Sequence, residues 1–441
     1  MEFRIARCVF YSVFFVILFL PLRGDLLFSI VGCVFLLDIA IIYLGKRSQL
    51  NPISFFQLGF IFILCMEGIF SYKIISGIVG EDNVDFAVQL LSQGGALLIL
   101  GYLVCEKEVG RHGMLFLKNP AHGKNLVILF YIICIYQFLP MAYFTIRFGR
   151  HYGYGNEFAA INILPSFLVF PLFIISILAP SLICIYFKAI GCRNWTRKSL
   201  IYAAPLLLLI ILGGRRYMIL YAFLPVIFIC FGGQDLQLKK IIRLSVVGLL
   251  ILASAVSTYY LRWGIDNLSV DLLQERVFDV STTFNENAVR RMALATDYYR
   301  FESHEPFHNT AYIFTFFIPR VFWQDKPIKM EIWFPQVYER ERRRSSYSAS
   351  MSFMAPFYGD FGYGLSLVFA CLLGVFISFI RNLLTSRLLQ MGQFTDAING
   401  VLAAGLFFLP RQLGTAWAQT IGFLIIIIAI RFFFFSRYEK V

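Results

Sequence analysis

The sequence is poor in charged residues. Only 15% of its 441 residues are Asp, Glu, Lys or Arg, whereas 59% are hydrophobic. A soluble domain carries roughly 25% charged residues and has room in its core for fewer apolar ones. The composition therefore excludes an ordinary water-soluble protein.

Long apolar runs with almost no charge indicate membrane-spanning helices. Leu126–Tyr143, Ile163–Phe187 and Ile241–Tyr260 approach or exceed the ~20 residues that cross a hydrocarbon layer. Because lipid offers the backbone no hydrogen-bond partners, such continuous runs must be helical. The pattern predicts an all-α, polytopic membrane protein with about 12 spans. They are placed at 8–22, 26–44, 53–71, 86–104, 125–144, 163–187, 199–213, 217–232, 241–260, 361–380, 395–410 and 418–435.

The basic residues predict the orientation of these spans. With both termini inside, the inside segments hold 20 of the 39 Lys and Arg residues, as expected for cytoplasmic loops. Three regions of one integral unit follow: nine helices in 1–260, a large external loop in 261–360, and three helices in 361–441. Within the loop, the apolar spacing of Val270–Arg300 predicts helices packed on the membrane surface, and Ala311–Trp323 suits an interfacial or re-entrant segment.

Several functional signatures are missing. The chain has no Gly-rich nucleotide loop, zinc-protease motif or nucleophile elbow. It also lacks a Cys/His cluster with metal-ligand spacing, so neither a metal nor a cofactor is predicted. Its nine cysteines are interpreted as buried apolar residues without disulfides. The net charge of +13 comes from residues flanking the spans, and no nucleic-acid module is visible.

Arginines on the outer side are the main candidates for a site. Arg215, Arg216 and Arg411 lie in short outer connections, where basic residues are otherwise scarce. A guanidinium held near lipid is costly and often serves a function, although a headgroup anchor is the simpler alternative. Further external cations are Arg262, Arg290, Arg291, Arg320, Lys326 and the run 340–344, the last interpreted as a solvated surface. Converging guanidinium groups suit a pyrophosphate.

Carboxylates and histidines of the loop are candidates for a general base. They are Asp297, Glu305, Asp325, Glu331, Asp360, His304 and His308. Each carboxylate alone is more simply explained as a salt-bridge partner of an arginine. The serine-rich stretch before Tyr358-Gly-Asp-Phe-Gly362 combines hydroxyls with aromatic residues and would suit sugars.

The order of these motifs resembles the bacterial oligosaccharide repeat-unit polymerases of the Wzy type, which include O-antigen and enterobacterial common antigen polymerases. The resemblance covers most of the chain. It rests on Gly213-Gly214-Arg215-Arg216, Arg262-Trp-Gly, the phrase from Phe317 to Pro327 (Phe-Ile-Pro-Arg-Val-Phe-Trp-Gln-Asp-Lys-Pro), the serine stretch, and Arg411.

The resemblance implies a fold of the membrane glycosyltransferase C type in the bacterial inner membrane. It implies an enzyme that transfers a growing glycan from undecaprenyl pyrophosphate to a new lipid-linked repeat unit at the periplasmic face. Catalytic roles carry over to Arg216, Arg262, Arg320 and Arg411, and substrate contacts to Arg215, Arg290, Arg291, Lys326 and Tyr358. Its implied partners are membrane lipids, the lipid-linked oligosaccharide, and a flippase and chain-length regulator of the same pathway. The resemblance does not assign the general base that would activate the acceptor hydroxyl.

Two other functions remain open from the sequence. An O-antigen ligase would use the same donor with a lipopolysaccharide-core acceptor. A flippase for the same lipid would need charges lining a cavity within the spans and a two-lobed layout.

Overall fold

The computed structural model describes residues 2–44, 50–107, 115–117, 123–148, 166–213, 216–231, 288–316, 318, 322–338, 350–388 and 392–437. The first helices are α1 (Glu2–Ile17), α2 (Gly24–Leu44), α3 (Pro52–Gly59), α4 (Met66–Val79), α5 (Glu81–Cys105) and α6 (Gly123–Phe148). They are followed by α7 (Ser166–Ala189), α8 (Trp195–Gly213), α9 (Arg216–Phe231), α10 (Ala288–Tyr298), α11 (Ala311–Thr315) and α12 (Met330–Tyr338). The last helices are α13 (Met354–Leu383), α14 (Gly392–Phe408) and α15 (Leu413–Phe434), and two short strands are β1 (Leu115–Leu117) and β2 (Phe435–Arg437).

The described helices define a polytopic helical membrane protein. Six are long and apolar enough to cross a membrane, or seven if the bent pair Pro52–Cys65 and Gly68–Val79 forms one span. Each segment predicted to span, apart from 241–260, overlaps a described helix. The segment 241–260 lies outside the described residues, and the count of twelve stays a prediction.

Local sequence explains where the third predicted span begins. Asn51 accepts a hydrogen bond from the backbone N–H of Ile53, and Pro52 occupies the first turn, so α3 begins there. A π-helical turn, Phe60–Cys65, separates α3 from α4. Phe60, which is buried, lies edge-on to Phe35 of α2. The span is bent by 43° between the segments Pro52–Cys65 and Gly68–Val79.

Polar contacts group the chain segments at two opposite ends of the bundle. At one end, called the terminal end, Glu106 after α5 accepts hydrogen bonds from Asn51 before α3 at 2.8 Å and from Arg381 of α13 at 3.4 Å. At the other, called the loop end, Asp85 accepts from the backbone of Gly24 at 2.7 Å. This grouping agrees with the predicted alternation of spans. The prediction that the terminal end faces the cytoplasm is a separate one.

A buried ion pair lies near the terminal end. Arg7 of α1 donates two hydrogen bonds to Asp38 of α2, at 2.9 and 2.7 Å. Tyr11 and Gln57 donate to the same carboxylate at 2.9 and 2.7 Å. The four side chains connect three helices, and the additional donors offset part of the cost of burying the charges.

Two apolar cores hold the helices together. The first core contains side chains from helices α1 through α5, α10 and α13. The second core contains side chains from helices α6 through α9, α14 and α15. Helix α14 packs on both α3 and α9, so it connects the two cores. Helices α3 and α14 approach each other closely, because a Cβ at Gly59 would clash with the backbone of Phe407.

Helix α10 belongs to the predicted external loop and lies against the membrane helices. It packs on α4, α5 and the π-helical turn between α3 and α4. Asp297, near its end, meets Asn83 in the first turn of α5 at 3.1 Å. The apolar side of α10 is therefore buried by other helices, and its position at the membrane surface stays a prediction.

Candidate functional site

The candidate site lies at the loop end, where the helix α13 is sharply broken. Gly362 has φ 70° and ψ −169°, a conformation outside the helical region. The residues before it, from Met354, form a short arm that leads up to the break, and the long helix leads away from it. The surrounding elements are α10, α11, α12 and the segment that connects α10 to α11.

Asp360 is the centre of a buried hydrogen-bond network. Its carboxylate accepts from the backbone N–H and the side-chain amide of Asn309, at 2.7 and 2.8 Å. It also accepts from the backbone N–H and the hydroxyl of Thr310, at 2.8 and 2.6 Å. These donors belong to the residues that precede α11, so Asp360 caps that helix from another element. Among the described residues, the partners of Asp360 are amide and hydroxyl donors, and none is the arginine that the sequence led us to expect.

The amide of Asn309 has its orientation fixed by three partners. Its nitrogen donates to Asp360 and also to the hydroxyl of Tyr299 at 3.1 Å. Its oxygen accepts from the indole N–H of Trp333, on α12, at 2.9 Å. Burial raises the pKa of Tyr299 to about 12, so its hydroxyl stays protonated at neutral pH. The network therefore joins α10, α11, α12 and α13.

His304 packs against this network, and its two ring nitrogens have different surroundings. Its Nδ1 is 3.2 Å from the carbonyl oxygen of Gly359. Because a carbonyl only accepts, Nδ1 carries a proton, and in the neutral form of the ring Nε2 is the nitrogen that has the lone pair. The ring is stacked on Tyr299 and edge-on to Tyr358, with centroids 5.4 and 5.5 Å apart. A neutral imidazole held in this way can accept a proton.

One cation lies deeper, beside the start of the arm. Arg411, in the turn between α14 and α15, donates from Nε to the hydroxyl of Ser350 at 2.6 Å. Two residues on, the hydroxyl of Ser352 is 3.2 Å from the sulfur of Met292 on α10. The segment from Ser350 to Ser352 therefore contacts both Arg411 and α10. Arg291, next to Met292 in the sequence, is only 1% exposed.

The depth of that segment follows from its neighbours on α5. Met354 packs against Gly94, whereas Tyr358, higher on the arm, packs against Phe86. These two α5 positions are separated by about 12 Å, at 1.5 Å of rise per residue. The segment around Ser352 is therefore recessed between the spans, below the break at Gly362.

Glu331 forms a second buried carboxylate site next to the turn that holds Arg411. Its Oε1 accepts from the backbone N–H of Gly414, at the start of α15, at 3.1 Å. Desolvation raises the pKa of this carboxyl, and the ammonium of Lys329 opposes the shift. Lys329 in turn donates to the hydroxyl of Thr415 at 2.8 Å. Glu331 thus holds α12 against the start of α15 by accepting from the N-terminus of that helix.

The remaining predicted residues are only partly placed. Arg215, Arg262 and Arg320 lie outside the described residues, and Arg216 is the first residue of α9, with no account of its side chain. Arg290 is half-buried on α10. Their assigned roles stay predictions.

Lys326 and Tyr358 are both buried. The Lys326 ammonium donates to the carbonyls of Phe316 and Ile318, at 2.8 and 2.9 Å, and lies 5.4 Å from the centre of the Tyr312 ring. It therefore holds a turn of the loop together. Tyr358 lies between Phe86, Tyr299 and His304, where its ring supports the network.

Sequence reasoning missed several partners of the site. The neutral residues Asn309, Thr310 and Trp333 and the cation Lys329 were not among the predicted site residues. One signal was present, since His308-Asn309-Thr310 precedes the apolar run that begins at Ala311, and Asn and Thr are typical of helix starts. No local pattern indicates that a carboxylate fifty residues later caps this helix.

In the parts of the chain that the structure describes, no group of three or more His, Cys, Asp or Glu side chains is arranged to hold a metal ion. All nine cysteines are free thiols.

No family model, curated protein or solved structure matches the chain. Its class rests on the structure alone, which is that of a multi-pass helical membrane protein with a buried polar site at the loop end.

Proposed function

We propose that the protein polymerises lipid-linked oligosaccharide repeat units, transferring the growing glycan from undecaprenyl pyrophosphate to a sugar of the next unit. The proposal includes about twelve spans, a fold of the membrane glycosyltransferase C type, the bacterial inner membrane, cytoplasmic termini and a periplasmic loop end. It needs no nucleotide sugar, because the lipid carrier supplies the leaving group.

The contact of Arg411 with the buried Ser350, at the start of the recessed arm, is the observation that supports this proposal. A guanidinium between membrane spans is costly and usually serves a ligand or a buried partner. A pyrophosphate attached to a polyprenyl chain enters from the membrane, so its anion has to be met at such a depth. As the glycosyl bond breaks, negative charge develops on the pyrophosphate, and fixed cations stabilise it.

Two groups of the site suit the activation of the acceptor hydroxyl. In its neutral form His304 would accept a proton at Nε2, because Nδ1 donates to the carbonyl of Gly359. The carboxyl of Glu331 has a raised pKa and lies close to the turn that contains Arg411. A pH–rate profile of His304→Gln and of Glu331→Gln separates them. The variant that lacks the base loses the rise in rate with pH, whereas the other keeps it with a lower maximum.

The test uses purified full-length protein, lipid-linked repeat units and no nucleotide. Longer lipid-linked glycans are expected, with free undecaprenyl pyrophosphate released in proportion. If glycan passes to a lipopolysaccharide core but never to a second repeat unit, the protein is a ligase. If units only change leaflet in sealed vesicles, it is a flippase, and if nothing happens to the lipid the proposal is wrong.

A further inference from the structure

The loop that follows α10 exposes aromatic side chains on an otherwise polar segment. Residues 301–308 are all exposed, with Phe301 at 85% and Phe307 at 55%. The segment reads Phe-Glu-Ser-His-Glu-Pro-Phe-His, so two large apolar rings alternate with charged and polar groups. Exposing such rings to water costs free energy relative to burying them. An amphipathic surface of this kind suits a membrane–water interface.

Phe307 also has an unusual backbone. Its φ is 67°, in the left-handed region that bulky side chains rarely adopt. This backbone conformation costs free energy. The ring of Phe307 is nevertheless more than half exposed. A strained residue of this kind is often functional, and an apolar ring exposed in this way suits a contact outside the polypeptide.

A continuous aromatic row connects Phe307 to the lipid-facing side of α13. Its ring is edge-on to Phe361, with centroids 5.2 Å apart, and Phe361 is stacked on Phe369 at 4.3 Å. On the same stretch of α13, Leu365 and Val368 are 55% and 52% exposed, as expected for side chains that face acyl chains. Phe307 therefore extends the surface of a membrane-spanning helix at its loop end.

We propose that the loop 301–307 is a membrane anchor, with Phe307 and Phe301 inserted among the phospholipids next to the outer end of α13. The partner is the bilayer that surrounds the protein, and this inference does not depend on the proposed reaction. The anchor would fix the approach of the loop to the membrane, and with it the position of His304, which the same loop carries.

The test places a single fluorine label at chosen positions of the full chain in lipid nanodiscs. A trifluoromethyl-phenylalanine replaces Phe307, and in separate samples Leu365, as the lipid-facing reference, or Glu302, as the exposed reference in the same loop. The discs contain only defined phospholipids and one protein copy each. Line broadening is measured with a phospholipid that has a nitroxide in its acyl chain, and with a water-soluble gadolinium chelate.

The label at 307 is expected to broaden with the lipid nitroxide as the label at 365 does, and to resist the gadolinium chelate. If it broadens with the chelate as the label at 302 does, the proposal is wrong. If protection requires polyprenyl phosphate, or appears only with two protein copies per disc, the occupant is a substrate lipid or a second chain, and the proposal is again overturned.

A second test uses a variant of Phe307 and measures hydrogen exchange of the loop. Asn tolerates a positive φ but has no apolar ring, so Phe307→Asn should keep the turn and lose the insertion. Hydrogen exchange of amides 301–307 in discs is expected to lose protection, while α10 and α13 stay protected. Unchanged protection of the loop in this variant would contradict the anchor.

Discussion

The ring of Phe361 is stacked on the ring of Phe369, with centroids 4.3 Å apart and planes 16° apart. In a straight helix these residues would be about 12 Å apart along the axis. The contact forms because the chain turns sharply at Gly362, so the arm that begins at Met354 folds back beside the long part of α13. The buried Asp360 lies just before this turn, and the site depends on it.

Replacing Gly362 should therefore destabilise the site. Its φ of 70° with ψ −169° is a conformation that only glycine adopts readily, and a Cβ there would meet Nε2 of His304 at 3.4 Å. Gly362→Ala is expected to cost about 1–3 kcal/mol, measured as a lower melting temperature in detergent micelles. Gly364→Ala is the matched control, because a Cβ there meets nothing within 4 Å and its φ is not positive. Equal melting temperatures for both variants would contradict this account.

Asp360 should matter more for stability than its charge alone suggests. In Asp360→Asn, one carboxylate oxygen becomes an N–H₂ group that faces the N–H or hydroxyl donors of Asn309 or Thr310. The unmet donors should cost on the order of 3 kcal/mol. Thr310→Val removes a single hydroxyl donor and should cost about half as much. Thermal unfolding followed by tryptophan fluorescence compares the two, and a larger loss in Thr310→Val would refute the capping role.

These two features show where sequence reasoning succeeds and fails. Apolar runs predicted the helices because each span is specified by its own residues, whatever it packs against. The break at Gly362 was not predicted, since glycines also occur inside α5 and α14 without a break. The pairing of Asp360 with Asn309 spans 51 residues and leaves no periodic signal. Arg411 could be selected as a candidate because charge near lipid is rare, a property visible without the fold, and its role stays a prediction.

Arg411 gives the sharpest test of the proposed chemistry. Arg411→Ala removes the guanidinium that Ser350 orients, and chain extension is expected to fall roughly 100-fold or more, the scale for losing a group that stabilises developing charge. Arg411→Lys keeps the charge without the planar fork and should recover part of the rate. Lengths of lipid-linked glycans, separated on gels, measure the effect.

Lys73→Ala provides the control for this series, because Lys73 is an exposed cation at the same loop end. Its removal should leave the length distribution unchanged. Membrane insertion of all variants is checked by their yield in the membrane fraction. Normal ladders from Arg411→Ala would remove Arg411 from the site.

Glu331 predicts a dependence of stability on pH. Burial raises the pKa of its carboxyl above the ordinary 4.5, so the folded protein binds this proton more tightly than the unfolded chain does. The stability due to the protonated form is complete below 4.5 and is lost as the pH rises through the folded pKa. Glu331→Gln has no such titration. As the pH rises, its free energy of unfolding should therefore increase relative to that of the wild type, by about 1.4 kcal/mol per unit of pKa difference. Melting temperatures at about pH 4 and about pH 8 check it, and a constant difference between the two proteins would rule it out.

The ion pair between Arg7 and Asp38 should behave as a coupled unit. Arg7→Met leaves a buried carboxylate with only Tyr11 and Gln57 as donors, and the free energy of unfolding should fall by about 3–5 kcal/mol. Arg7→Met combined with Asp38→Leu removes both charges, while Tyr11 and Gln57 keep the 2.6 Å hydrogen bond between them. The double variant should therefore be more stable than Arg7→Met alone, because an apolar pair of similar size avoids the desolvation of charge. Denaturant unfolding of the four proteins of this cycle, in one detergent, gives the coupling energy. If the two losses simply add, the pair does not act as a unit and the three helices are held by their apolar contacts alone.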